Sequence, residues 1–131
     1  MKINNALLDI DYIKNQTKDV YSTSEVKTNK TWIDGKPIYR KVIQFNGLSG
    51  TSVNNISLGL TNASEILPTS TAMLYESSVR AYSYQYNNIY NAQVDVGAFF
   101  DLENNRLTVK QFGDFGFTKG YVIVEYTKTT D

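Results

Sequence analysis

From Ile38 to the C-terminus the chain alternates between apolar and polar residues, and this alternation limits the folds open to it. Tyr90, Ala92, Val94, Val96, Ala98 and Phe100 recur at every second position, with Asn91, Gln93 and Asp95 between them. Successive side chains of a strand point to opposite faces, so 89–100 reads as a half-buried strand. IYRKVIQF (38–45), TSVNNISLGL (51–60), MLYESSVRAYSYQY (73–86), RLTVKQF (106–112) and YVIVEYT (121–127) read as further strands. In RLTVKQF the pattern puts Leu107 and Val109 inward and Arg106, Thr108 and Lys110 outward. Turn signals separate these runs: NGLSG at 46–50, Asn87-Asn88, Glu103-Asn104-Asn105 and GDFGFTKG at 113–120. Residues 62–70, with Pro68, read as a loop carrying one short edge strand. No helical period lies between the strands, which argues against a parallel βαβ sheet. The expected fold is all-β, an antiparallel β-sandwich of jelly-roll type over 38–131.

Residues 1–20 follow another rule. Ile3, Ala6, Ile10, Ile13, Thr17 and Val20 fall at 3-4-3-4-3 spacing, one seam of a helix. As heptads, Ile3, Ile10 and Thr17 are a positions and Ala6, Ile13 and Val20 are d positions. Isoleucine at both leans toward a trimer. Three readings fit: an amphipathic helix packed on its own domain, a short oligomerising stalk, or a disordered terminus. The expected organisation is a stalk over 1–20, a linker and turn over 21–37 and the β domain over 38–131.

Composition removes several chemistries. The chain has no cysteine and no histidine. Disulfides, thiol nucleophiles, Ser-His-Asp triads and nearly all zinc sites are therefore excluded. Lys+Arg and Asp+Glu are 13 each, so the footprint of a nucleic-acid binder is missing. No apolar run approaches the roughly 20 residues that span a bilayer, and no secretory leader is expected. Glycoside hydrolysis needs only two carboxylates, and Asp95, Asp101, Glu103, Asp114 and Glu125 are available. No pair among them is singled out. Asp101, Glu103 and Asn105 alternate in the manner of oxygen ligands, but they lack the glycine and terminal acid of an EF-hand loop, so no metal or cofactor is expected.

TWIDGKPIYRK, at 31–41, contains a Gly-Lys pair. A phosphate loop would need glycine at 30, where Lys30 stands, and Ser or Thr at 37, where Pro37 stands. The stretch reads instead as a turn with positive φ at Gly35 and a proline-set start to a strand. Trp32 and Ile33 would pack on the sheet just before it.

Tyr82, Tyr84 and Tyr86 recur at period 2, with Arg80 on the same face if 73–86 is one strand. Tyrosine suits saccharide rings and protein contacts alike, giving large area at low entropic cost. The stripe is core, a subunit interface, or a ligand surface formed by Arg80, Tyr82, Tyr84 and Tyr86, with Tyr90 beside it.

Three motifs carry a resemblance. Y-S-T-x-E at 21–25, W-I-D-G-K-P-I-Y-R-K at 32–41 and Y-V-I-V-E-Y-T-K-T-T-D at 121–131 resemble a C-terminal head module of tail and receptor-binding proteins of tailed bacteriophages and prophages. The motifs bracket most of the chain; 46–118 matches no quoted pattern. The resemblance implies a non-enzymatic virion tail protein, trimeric, docked to other tail proteins. It further implies attachment to a host-surface carbohydrate such as teichoic acid or wall polysaccharide. It transfers no receptor-binding residue. A purely structural trimerising cap and a small glycan hydrolase are the alternatives.

Overall fold

A computed structural model describes residues 20–46, 53–77, 79–83, 86–87, 95–112 and 119–131. Among these are ten strands and no helix: β1 (Val26–Thr31), β2 (Pro37–Asn46), β3 (Val53–Ser57), β4 (Ala63–Ile66), β5 (Thr71–Ser77), β6 (Arg80–Ser83), β7 (Tyr86–Asn87), β8 (Asp95–Asp101), β9 (Arg106–Phe112) and β10 (Lys119–Lys128). They form two sheets in which every pairing is antiparallel. The larger sheet runs β1-β2-β10-β5-β6, with β4 also on β10; the smaller runs β3-β9-β8-β7.

The sheets share one core. Ala72 and Leu74 of β5 and Val122, Val124 and Tyr126 of β10 meet Leu107 and Val109 of β9, with Leu58 and Leu60 from the segment after β3. Removing each Leu or Val side chain of this set from water contributes about 1.5–3 kcal/mol. β10 organises the larger sheet because its alternation is strict: Gly120, Val122, Val124 and Tyr126 are buried, while Tyr121, Ile123 and Glu125 are half-buried on the other face. Gly120 pairs with Phe45. A Cβ at Gly120 would lie 2.1 Å from Phe45 Cζ, so the ring fills the space of the missing side chain.

β4 and β5 lie end to end along one edge of β10. The register changes from Tyr126↔Ile66 to Ile123↔Thr71, so four residues bulge opposite Val124 and Glu125. Ser70 fills the gap in the ladder. Its Oγ donates to the Glu125 carbonyl at 3.1 Å and accepts from the Glu125 N–H at 2.9 Å. Leu67 N–H also donates to that carbonyl.

Several expectations change. β1 lies inside 21–37, expected to be a linker and turn, and pairs with β2 as a hairpin. Its connection is the expected turn: Gly35 has φ 85°, its N–H donates to the Trp32 carbonyl, and Asp34 Oδ1 accepts from Lys36 N–H. Ile33 does not pack on the sheet; it is 89 % exposed at the tip of the turn. The strand expected over 73–86 is divided, because β5 turns back at Val79 and pairs with β6. Thr108 is buried, its hydroxyl donating to Asn55 Oδ1 across the β3–β9 pair. A short side chain with a partner on the next strand can be covered where Arg106 and Lys110 cannot. Leu107 and Val109 face inward as expected, and Ala98 and Phe100 pack against the core. Of the helical seam, Ile3, Ala6, Ile10, Ile13 and Thr17 lie outside the described residues; Val20 is exposed.

Candidate ligand surface

The terminal motifs meet in space. β2 lies against β10 from Tyr39↔Tyr126 to Asn46↔Lys119. On the face away from the core, Arg40 Nε and Nη2 donate to Glu125 Oε2 at 3.2 and 3.1 Å, and both side chains are largely buried. The Tyr21 ring lies 4.5 Å from the guanidinium. Glu125, one of the carboxylates available in the sequence, is tied up in this ion pair. On the core face Tyr39 stacks on Tyr126, and the Tyr126 hydroxyl donates to Glu25. Tyr39 donates to Asp131 at 2.8 Å, and Lys36 Nζ to the Lys128 carbonyl at 3.1 Å. Burial, and then the hydrogen bond to Glu25, push the Tyr126 phenol well above its ordinary pKa. The hydrogen bond to Asp131 raises Tyr39 in the same direction.

The outer face of the larger sheet changes character toward β5. By register, Lys119, Tyr121 and Ile123 of β10 stand beside Tyr75, Met73 and Thr71 of β5. Tyr75 and Tyr121 meet edge to face, with centroids 5.7 Å apart at 88°. Lys119 Nζ sits 5.2 and 5.6 Å from the two ring centroids. Both rings are half-buried, and Met73 is exposed beside them. The result is a platform of two aromatic rings carrying a cation. Such a surface stacks on the C–H faces of a sugar while phenol and ammonium groups reach its hydroxyls.

The described members of the expected ligand set do not form one stripe: they are divided between β6 of the larger sheet and β7 of the smaller. Arg80 and Tyr82 are on β6, with Arg80 opposite Ser77 and Tyr82 opposite the core residue Leu74. Tyr86 is on β7 in the other sheet, opposite Val96. Tyr84 and Tyr90 lie outside the described residues. The strand order puts β6 in the larger sheet and β7 in the smaller, which separates Tyr82 from Tyr86, and period-2 spacing cannot reveal a change of sheet. Tyr75, Tyr121 and Lys119 were not singled out in the sequence. Their signal was available only as the outward half of two alternating strands, and it needed the β5–β10 register to bring them together.

The carboxylates with described side chains are engaged or exposed. Hydrogen bonds from the Asn104 side chain, and then its backbone N–H, hold Asp101 below the usual carboxylate range. Asp101 also faces Arg106 Nε at 3.5 Å. Glu103 is exposed at the tip of the turn. A general acid needs a raised pKa, the opposite of what Asp101 has. Among the described residues no three His, Cys, Asp or Glu side chains converge on a point that could hold a metal. No known protein family, curated protein or solved structure matches the chain.

Proposed function

We propose that the chain is a non-enzymatic attachment module of a bacteriophage tail that binds a host-surface carbohydrate. The observation that carries the reading is the Tyr75–Tyr121–Lys119 platform on the outer face of the larger sheet. The resemblance of the terminal motifs to phage tail heads supplies the biological class. Those motifs build adjacent strands, β2 and β10, so the segments that carry the resemblance form one supporting corner. Much of the remaining surface is left to the unmatched middle of the chain.

In this reading the two sheets close as a jelly-roll-like sandwich and residues 1–20 form a short helical stalk. The chain is a homotrimer within the virion, docked to other tail proteins. Three copies convert weak single-site contacts into durable adhesion through avidity. Neither a membrane nor nucleic acid is a partner. Light scattering tests the oligomer: a trimer is expected, and a monomer at micromolar concentration would exclude it.

Adsorption of a fluorescent fusion to purified walls of candidate hosts tests the binding. Saturable adsorption, competed by solubilised wall polysaccharide and reduced in Tyr121→Ala and Tyr75→Ala, is expected. Adsorption that survives both substitutions would remove the platform from the account. Release of reducing sugar from those walls would replace attachment with hydrolysis.

A further inference from the structure

β2 outruns its partner β1. The β1–β2 pairing extends only from Thr31↔Pro37 to Val26↔Arg40. Past Arg40 one further backbone bond is made on this edge among the described residues, from Val42 N–H to the Ser22 carbonyl. Backbone groups of alternate strand residues point the same way, so the Gln44 N–H and C=O face the same side as the Val42 N–H. Across from this edge stands Ser57–Gly59, the chain leaving β3. A pocket of about 330 Å³ opens between the two, with Val42, Ile43 and Leu58 as its apolar part.

Lys41 is fixed at this pocket. Its Nζ donates to the carbonyls of Leu58 and Gly59, each at 3.1 Å. An ammonium has three protons, so one is left over. Gly59 makes the approach feasible: its φ is +60°, and a Cβ there would lie 2.8 Å from Lys41 Nζ. Two other cations of the larger sheet have acids as partners, Arg40 with Glu125 and Lys128 with Glu25, while Lys119 lies over the rings of Tyr75 and Tyr121. Among the described residues Lys41 has carbonyl partners and no carboxylate. Thr23, Gln44 and Ser57 also line the pocket. They add two hydroxyls and an amide, with no side-chain hydrogen bond of their own among the described residues.

We propose that this pocket binds one anionic group, a phosphate or a carboxylate, carried on a polyhydroxyl chain. Lys41 supplies the counter-charge, and Thr23, Gln44 and Ser57 bond the flanking hydroxyls. The charge is pre-positioned by two backbone carbonyls, so binding does not have to order a long side chain. The polyhydroxyl part rests on the carbohydrate reading above; the anion preference rests on Lys41 and Gly59.

The test is a chemical-shift titration of the isotope-labelled protein. The probes are glycerol phosphate and galacturonate, with glycerol and galactose as neutral controls. At least one anion is expected to shift the amides of Gln44, Ser57 and Gly59 saturably, while the neutral compounds shift them far less. Lys41→Met is expected to weaken that binding at least tenfold. Should Lys41→Met fail to give a folded spectrum, Thr23→Val and Ser57→Val carry the test, with each expected to weaken binding several-fold. A response to glycerol phosphate alone marks a polyol phosphate, and a response to galacturonate alone marks an acidic sugar. Silence toward both anions, equal shifts from the neutral compounds, or binding unchanged in the variants would overturn the proposal. Wall adsorption is measured separately. Anion binding without adsorption would sink the carbohydrate reading and leave the pocket; adsorption without anion binding would do the reverse.

Discussion

The two halves of β2 lie in the same strand and behave differently. Around Pro37–Arg40 the strand is enclosed between β1 and β10, and its polar groups are matched: Arg40 with Glu125, Tyr39 with Asp131. From Lys41 onward β10 continues on one side, but β1 no longer pairs on the other. There Lys41 is held by carbonyls at the mouth of a pocket. A polar group whose partners are all within the chain builds the chain; one left with bonding capacity can be used by something else. By this criterion the β2–β10 corner is scaffold. The ligand-facing surface we propose begins where the internal pairing stops, at the β2 edge and on the Tyr75–Tyr121–Lys119 platform.

The largest way to break the contrast is to open the corner. Arg40→Met leaves the Glu125 carboxylate largely buried without its cation and is expected to cost about 3–5 kcal/mol, read by chemical denaturation. Adding Glu125→Leu is expected to recover most of that loss, because the penalty lies in the unpaired charge. Ser70→Ala removes the hydroxyl that bridges both backbone groups of Glu125 and is expected to cost about 1–3 kcal/mol. Gly120→Ala forces a methyl against the Phe45 ring and is expected to cost a similar ~1–3 kcal/mol, relieved by Phe45→Leu.

Alkali probes the same corner more gently. The Tyr126 and Tyr39 phenols are raised in the folded chain above their ordinary pKa of 10.0. The unfolded chain therefore loses these protons first. The stability they contribute is complete below pH 10 and declines as the pH rises beyond it. Ultraviolet titration is expected to show a fraction of the tyrosines ionising only with unfolding, and Tyr126→Phe is expected to shrink that late fraction. The smallest effect is at the β8–β9 turn. Asp101 is lowered by Asn104, so its contribution is present above the ordinary carboxylate pKa and lost as the pH falls through its own. Asn104→Ala is expected to move the acid limb of the stability profile slightly upward.

The strands of the β domain were legible where one face is buried against a core. β2, β9 and β10 fall where alternation put them, because a one-residue slip would send Val122, Val124, Leu107 and Val109 into water. The Asp34-Gly35 turn was legible from its own chemistry. β1 was not, because VKTNKT lies at the edge of the sheet. Only Thr28 in it is buried, its hydroxyl donating to the Ile38 carbonyl. The pocket was not legible either. It joins residues 23, 41, 44 and 57–59, and only the relative placement of the two sheets and the register of β2 bring them together. The Tyr75–Tyr121 pair was not legible: the period-2 stripe drew attention to Tyr82, Tyr84 and Tyr86, and only the β5–β10 pairing brings Tyr75 and Tyr121 together.

The division between scaffold and ligand surface is tested most directly by measuring two quantities on Tyr121→Ala and Arg40→Met side by side: wall adsorption per folded molecule and the thermal midpoint. The account predicts that Tyr121→Ala melts cooperatively within a few degrees of the parent and loses about tenfold or more in adsorption, the loss of ring stacking and a cation–π contact. Arg40→Met should melt far lower and, at temperatures where it is folded, adsorb like the parent. If Tyr121→Ala adsorbs unchanged, or if Arg40→Met loses adsorption while still folded, the proposed division is wrong.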